Sequence, residues 1–449
     1  MSATSILVIG LGGVLLLPVV WRVAARRFDP FEPVFFFVLA WGAMFVIRPA
    51  AMLVNGDFTS YGIDISGTLP RAMLLGLIGG VGFLLGYELR AGGTLARRLP
   101  APRRLETRLG VTSAAVMTGL AFLALIALFR SFSDFDVLLG GRNAELGRLL
   151  HGSSTYLWNA SALVVPAALV LVALALRERS LPVALGAVSV LGLALYRTVP
   201  IGSRLALLPL LGGLFVFVYL RRGTRPGLAL LLVGLIAALV ASWALLFYRD
   251  PESRSGLRPA LESLVQQPGR PFRPLVRGQD AEMAPLLAGA LHAVPRRLGY
   301  RYGGATMGDF LTRPIPRQLW SGKPQPPSER IVAAVWPGSA RFLNPAFPPV
   351  VFFYWDFWIP GVIIGMAVFG IASRLLYEWF MRFRTEPTAQ LVFAVGVWFA
   401  VIGARNDPVD TIVLASFLLL PLIVVSWLAG PHRRAVPHFV PRTIDVSDQ

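Results

Sequence analysis

Apolar stretches of about 17 to 23 residues recur along this chain, separated by short polar segments in which arginine dominates. A helix rising ~1.5 Å per residue crosses ~30 Å of hydrocarbon in such a stretch, whereas barrel strands alternate over roughly ten residues. Backbone groups surrounded by lipid are satisfied only inside helices or closed barrels. The pattern therefore predicts an all-α polytopic integral membrane protein. About eleven transmembrane helices are expected, over 4–21, 31–53, 69–88, 109–129, 156–176, 181–197, 204–220, 227–247, 359–380, 388–404 and 410–429.

Short loops on the cytoplasmic side carry an excess of Lys and Arg. With the N-terminus outside, the inward connections read "RVAARRFDP", "RAGGTLARRLPAPRRLETR", "RER", "RRGTR", "RFRTEP" and "PHRR", all basic. The outward segment 54–67 has no basic residue, and the 405–408 turn has only Arg405. The start "MSATS" lacks basic residues, and the first span is read as a retained helix rather than a cleaved signal. Four regions follow: transmembrane helices 1–8 over 1–248, a large extracytoplasmic loop over 249–357, helices 9–11 over 358–430, and a cytoplasmic tail over 431–449. A loop of that length implies structure of its own. Within it, residues 280–298 are expected to form a short amphipathic helix lying at the membrane interface.

Composition narrows the chemistry. Apolar residues make up 55% and charged residues 15%, which excludes an ordinary soluble enzyme. There is no cysteine, hence no disulfide, thiolate metal site or cysteine nucleophile, and the four histidines are not spaced as helical metal ligands. No metal and no cofactor are expected. The net charge of +18 is spread between the apolar spans, which points to anionic membrane lipids and lipid-linked phosphates rather than nucleic acid.

Arginines on the outward side are the informative ones, because insertion does not require them. Arg48, Arg71, Arg130 and Arg197 are read as closing or opening spans. Arg142 lies in "GGRNAELGRLLHG", where pairing with Glu145 is the alternative reading. Arg204 begins a helix whose N-terminal dipole adds to its charge, a favourable place for a phosphate; snorkelling to headgroups is the alternative. Arg301 belongs to the fourteen basic residues of the long loop. The segment "RPIPRQLWSGKPQPPSER" holds Arg313, Arg317 and Lys323, the only lysine of the chain, between prolines that predict a stiff, extended backbone. Arginine clamps phosphate oxygens in a bidentate way and lysine acts as a point charge. Arg405 and Asp407 flank the last outward turn, where Asp407 suits either an N-cap or a general base. Asp356, Glu329 and His292 are the other candidate bases. Tyr354 and its aromatic neighbours suit a membrane belt or stacking against a sugar. Asp134-Phe135-Asp136 has the look of a short metal-binding triplet, a common one in loops.

"PIPRQLWSGKP", "NPAFPPVVFFYWDFWIPGVIIGMAVFG", "GSRLALLPL" and "RND" together resemble the O-antigen polymerase (Wzy-type) family of oligosaccharide repeat-unit polymerases, over about residues 130–430. The resemblance implies a GT-C-like glycosyltransferase of the bacterial cytoplasmic (inner) membrane. It would transfer a growing glycan from undecaprenyl diphosphate to a new lipid-linked repeat unit at the outer face. Donor and acceptor would both be undecaprenyl-diphosphate-linked oligosaccharides, with a chain-length regulator and a flippase as further partners. Arg142, Arg204, Arg301, Arg317, Lys323, Arg405 and Tyr354 would bind diphosphate or glycan, and Asp407, Asp356, Glu329 or His292 would serve as base. An O-antigen ligase is the nearest rival, but ligases show a histidine motif where the loop returns to the membrane, and "NPAFPPVVFFYWDF" has none. A flippase or transporter would place charges mid-membrane, and the spans here are almost charge-free in their middles.

Overall fold

The computed structural model describes residues 2–103, 105–130, 153–198, 207–224, 226–227, 234, 281–315, 319–337 and 346–428. The described chain is mostly helical, with one two-stranded hairpin, Thr59–Ser60 against Ile63–Asp64. Its turn residues Tyr61 and Gly62 both take positive φ, +47° and +81°, the geometry a two-residue hairpin needs.

Among the described residues, eight helices are long and apolar enough to cross a membrane. These are α1 (Ala3–Ala24), α2 (Pro33–Asn55), α3 (Leu69–Glu88), α5 (Thr107–Leu128), α6 (Tyr156–Glu178), α12 (Pro349–Arg382), α13 (Pro387–Arg405) and α14 (Pro408–Leu428). Between them lie α4 (Arg90–Arg98), the shorter apolar helix α7 (Leu181–Arg197) and α8 (Gly213–Arg222). The long loop contributes α9 (Met283–Ala290), α10 (Met307–Thr312) and α11 (Pro327–Val335). The span expected at 227–247 lies outside the described residues, apart from Gly234. Prolines set many of the starts: Pro33, Pro349, Pro387 and Pro408 each occupy a first-turn position, where a missing N–H costs nothing.

Two apolar cores result. One gathers α1, α2, α3 and α12 with the loop helices α9 and α11; the other gathers α5 to α8 with α13 and α14. Phe36 of α2 joins them, its ring 4.9 Å from that of Trp398 in α13. The first core turns on close backbone contact between α3 and α12. A Cβ at Gly86 would stand 2.0 Å from the Ala367 carbonyl oxygen, and one at Gly370 would stand 2.1 Å from that of Phe83. Small residues that let backbones touch are a principal source of helix association in lipid, where lipid tails compete for apolar contacts.

α12 is broken at Phe357 and Trp358, the latter with φ +56° and ψ −144°. The chain then folds back on itself. A Cβ at Gly361 would meet the Phe353 carbonyl at 2.3 Å, and Gly365 lies under the Phe353 ring. The single span expected at 359–380 is thus the second arm of a helical hairpin, and 349–356 is the first. Tyr354 and Trp355 in that first arm are 1% and 0% exposed. They are core residues rather than a membrane belt, while Phe357 and Trp358 stand outside at the bend.

α9 also departs from expectation. All eight of its residues are buried, so it is a core helix and not an amphipathic one at the interface. Its sequence, "MAPLLAGA", has no polar face to offer water. Arg48 of α2 fastens it by an ion pair with Glu282, 2.5 Å from Nη2 to Oε1, both side chains being largely buried. Arg48 therefore pins the loop to the bundle instead of merely closing a span.

At one end of α3, Glu88 meets Arg22 at 2.6 Å, and Arg22 also holds the buried Glu32 at 2.8 Å. Tyr87 and Arg374 converge on the same Glu32. This network locks α1, α2, α3 and α12 together. The residues of functional interest lie at the opposite end of α3, roughly 25 Å away at ~1.5 Å per residue.

Candidate functional site

Arg71 sits in the first turn of α3. Its Nη2 donates to the Tyr354 hydroxyl, and its guanidinium carbon lies 5.4 Å from the centre of that ring. Next along the first arm of α12, the Trp355 ring has two more arginines about it. Arg301 Cζ is 5.9 Å from its centroid and Arg330 Cζ is 5.7 Å. Among the described residues no carboxylate pairs with Arg71, Arg301 or Arg330. Burial, and then the charge of Arg301, push the Arg330 guanidinium below its ordinary value. Three unneutralised cations around buried aromatic rings form a place where a multiply charged anion is electrostatically favoured.

The segment carrying Arg301 is fixed by backbone and by one carboxylate. Arg301 N donates to the Trp355 carbonyl at 3.0 Å, and Tyr302 N to that of Asp356 at 3.1 Å. The Asp356 carboxylate accepts from Ala305 N at 2.7 Å, Thr306 N at 2.9 Å and Thr306 Oγ1 at 2.5 Å. Asp356 is 1% exposed. With its oxygens held by three donors, it shapes the turn that carries Arg301.

The turn leads directly into α10, where a second group assembles. Arg313, just past α10, reaches Asp410 Oδ1 at 2.7 Å and Asp309 Oδ2 at 3.1 Å. Asp407 caps α14 by accepting from Val409 N at 2.7 Å through Oδ1. Among the described residues its other oxygen, Oδ2, is buried with no hydrogen-bond partner. Burial first, then the negative charge of Asp410, raise the Asp407 carboxyl well above the usual carboxylate range, and Arg313 opposes this. Asp309 is also pushed up by burial. The arrangement is three carboxyls around one guanidinium; of the two buried oxygens without a hydrogen bond, Asp309 Oδ2 faces Arg313 in an ion pair and Asp407 Oδ2 does not.

The other expected site residues lie elsewhere around these two groups or outside the described residues. Lys323 donates its Nζ to the carbonyls of Arg313 at 3.2 Å and Ile315 at 2.8 Å, closing the end of α10. Residues 313–315 therefore turn instead of running extended, whereas Pro326 does adopt the polyproline region at φ −51° and ψ 144°. Arg405 bonds the neighbouring Asn406 side chain at 3.0 Å. His292 is half-buried, its Nε2 3.4 Å from Thr68 Oγ1 beside the small hairpin. Glu329 is exposed in the first turn of α11. Arg142, Arg204 and Arg317, with Asp134 and Asp136, lie outside the described residues. Among the described residues no three acidic or histidine side chains converge in a way that would hold a metal ion.

Sequence reasoning missed Arg71, Arg330, Asp309 and Asp410. Two of them left a trace: Asp309 stands one helical turn before Arg313, and Asp410 one turn after Asp407. Neither spacing reveals that α10 and α14 meet. No protein-family model, curated protein or solved structure matches the chain.

Proposed function

We propose that this protein is a membrane glycosyltransferase that polymerises undecaprenyl-diphosphate-linked oligosaccharide repeat units, in a GT-C-like, eleven-span architecture with the long loop outside the cytoplasmic membrane. The observation that carries this reading is the pairing of an unneutralised arginine group with an unclaimed carboxyl oxygen, joined by the short turn that Asp356 holds. Transfer from a lipid diphosphate needs cations where the leaving group gathers charge and a base for the attacking hydroxyl. Arg71, Arg301 and Arg330 suit the first task and Asp407 the second.

In this mechanism the acceptor oxygen bonds to the anomeric carbon as the bond from that carbon to the diphosphate oxygen breaks. The electron pair leaves with the diphosphate, and the arginines stabilise it. The hydroxyl proton passes to Asp407 Oδ2. A carboxyl raised toward the working pH holds that proton better than an ordinary one.

The test is polymerisation by purified protein on a synthetic undecaprenyl-diphosphate repeat unit, with and without EDTA. A ladder of lengthening products that survives EDTA is expected. Glycan joined to a different acceptor would indicate a ligase, and substrate movement across the membrane without a new glycosidic bond would indicate a transporter. A ladder abolished by EDTA would return attention to Asp134 and Asp136.

A further inference from the structure

α10 is built inside out for a helix in water. Its one acid, Asp309, is 8% exposed, while Met307 is 66%, Phe310 42% and Leu311 66% exposed. The chain beyond continues the pattern, with Ile315 at 38% and Leu319 at 81%. A helix bathed by water turns its carboxylates out and its large apolar side chains in. In contact with hydrocarbon the preference reverses: apolar groups face the lipid and ionisable ones turn toward protein.

We propose that residues 302–315, with Leu319 and Trp320, are immersed in the apolar edge of the lipid bilayer, with Met307, Phe310 and Leu311 packed against acyl chains. Both ends of the segment are fastened to the ends of membrane helices. Arg313 is bonded to Asp410 in the first turn of α14. At the other end Tyr302 N donates to the Asp356 carbonyl, and Gly303 lies against the Phe357 ring at the bend of α12. From that bend an exposed apolar surface runs on without a break in the chain. Phe357 and Trp358 are half exposed, and Ile364 and Val368 follow at 63% and 58% down the same helix. That helix is apolar and long enough to span the bilayer, so its exposed flank is a lipid-facing one. The exposed apolar side chains of α10 follow in the chain from the point where Gly303 touches this flank at Phe357. Trp358 and Trp320, each with an apolar body and one polar N–H, suit the boundary between lipid and headgroups.

This inference stands apart from the glycosyltransferase reading. It places the Asp309–Arg313–Asp410 group beside the bilayer edge, whichever reaction the group serves.

The chain has no cysteine, so single cysteines can be placed without background. Met307→Cys, Leu311→Cys and Leu319→Cys, with Glu329→Cys as the aqueous control, are each labelled with a nitroxide in the full-length protein. The proteins are reconstituted in phosphatidylethanolamine–phosphatidylglycerol vesicles, and collisions with oxygen and with a water-soluble nickel chelate are compared. Immersion predicts oxygen access several-fold above nickel access at 307, 311 and 319, with the ratio reversed at 329. Nickel access dominating at 307 and 311 would overturn the proposal in favour of a solvated loop. Exclusion of both reagents there would overturn it in favour of cover by protein, from this chain or a second copy. Three label sites guard against a local disturbance by any single substitution.

Discussion

Arg313 and Asp410, 97 positions apart in the chain, meet at 2.7 Å from Nη2 to Oδ1. This contact brings α10 to the start of α14 and places a positive charge near the Asp407 carboxyl. Asp410 and Asp309 raise the proton affinity of Asp407, Arg313 lowers it, and Tyr156, Lys323 and Arg405 are the other titratable or charged groups on neighbouring elements. Replacing Arg313 by Gln should therefore move the acidic limb of the pH–rate profile to higher pH. Asp410→Asn should move it to lower pH. Shifts of about one pH unit or more are expected for charges this close. Rates of chain extension measured across pH would reveal them, and identical profiles would remove Asp407 from the base role.

The same carboxyl affects stability. A group whose folded-state value is raised favours the folded chain fully below its unfolded value, and that advantage is lost as pH rises through the folded value. For Asp407 the loss begins as pH rises through the ordinary carboxylate range, where the unfolded chain ionises, and is complete above its raised folded value. Asp407→Asn keeps an oxygen for Val409 N but carries no charge at any pH. It should therefore unfold at a higher temperature than the parent at alkaline pH, with the difference shrinking in acid. Thermal unfolding in detergent at several pH values would measure this.

The two guanidinium groups about Trp355, Arg301 and Arg330, should act on the same anion. Charge-assisted hydrogen bonds are worth about 1.5–3 kcal/mol, or roughly tenfold to a hundredfold in affinity. Arg301→Ala or Arg330→Ala should each weaken binding of inorganic pyrophosphate by that factor in titration calorimetry. The pair should fall short of additivity, since each arginine repels the other in the free protein. Unchanged pyrophosphate affinity in both variants would remove this group from anion binding.

The course of the membrane helices was readable because a span needs a long apolar run and nothing else, and α1, α2, α3 and α13 lie close to the runs that announce them. The bend in α12 was not readable. "FFYWDFWIPG" is apolar throughout, and hydropathy is blind to Phe353 folding back on Gly361. Burial of "MAPLLAGA" was legible in principle, since it lacks a polar face, but its place in a loop of the sequence argued for the surface. Of the site, Arg301, Tyr354 and Asp407 carry signals in their residue type and setting. Arg71 does not, because an arginine at a helix end has the same local sequence whether it faces water or a tyrosine hydroxyl. The three donors of Asp356 were hidden for a related reason: a lone acid beside a membrane helix has the same local sequence whether or not a distant turn donates to it.

Those three donors give Asp356 a measurable structural role. Asp356→Ala would leave Ala305 N, which is buried, and the two Thr306 donors without their acceptor. Loss of a buried acceptor costs about 1–3 kcal/mol for each group left unsatisfied. The variant should unfold several degrees lower than the parent, and Arg301 should lose its fixed position with the turn. Asp356→Asn, which still accepts through one oxygen, should recover part of the stability. If both variants matched the parent in unfolding temperature, the clamp would have no energetic weight.

The close backbone contact between α3 and α12 offers a sharp test of the packing that positions the site. At Gly86 and Gly370 the nearest atoms to an added Cβ are backbone, at 2.0 and 2.1 Å, so no side-chain rotation relieves the overlap. Gly86→Ala must push α3 and α12 apart. Overpacking in a tight core costs about 1–3 kcal/mol and more where backbone must move. α3 carries Arg71 at its far end and α12 carries Tyr354, so separating the helices should also loosen the contact between them. Gly93→Ala serves as the control, since its added Cβ would meet only the flexible Glu378 side chain at 3.7 Å. Gly86→Ala and Gly370→Ala should lower the unfolding temperature and weaken pyrophosphate binding together, while Gly93→Ala leaves both in place. Equal stability in all three variants would mean that α3 and α12 do not touch through these glycines.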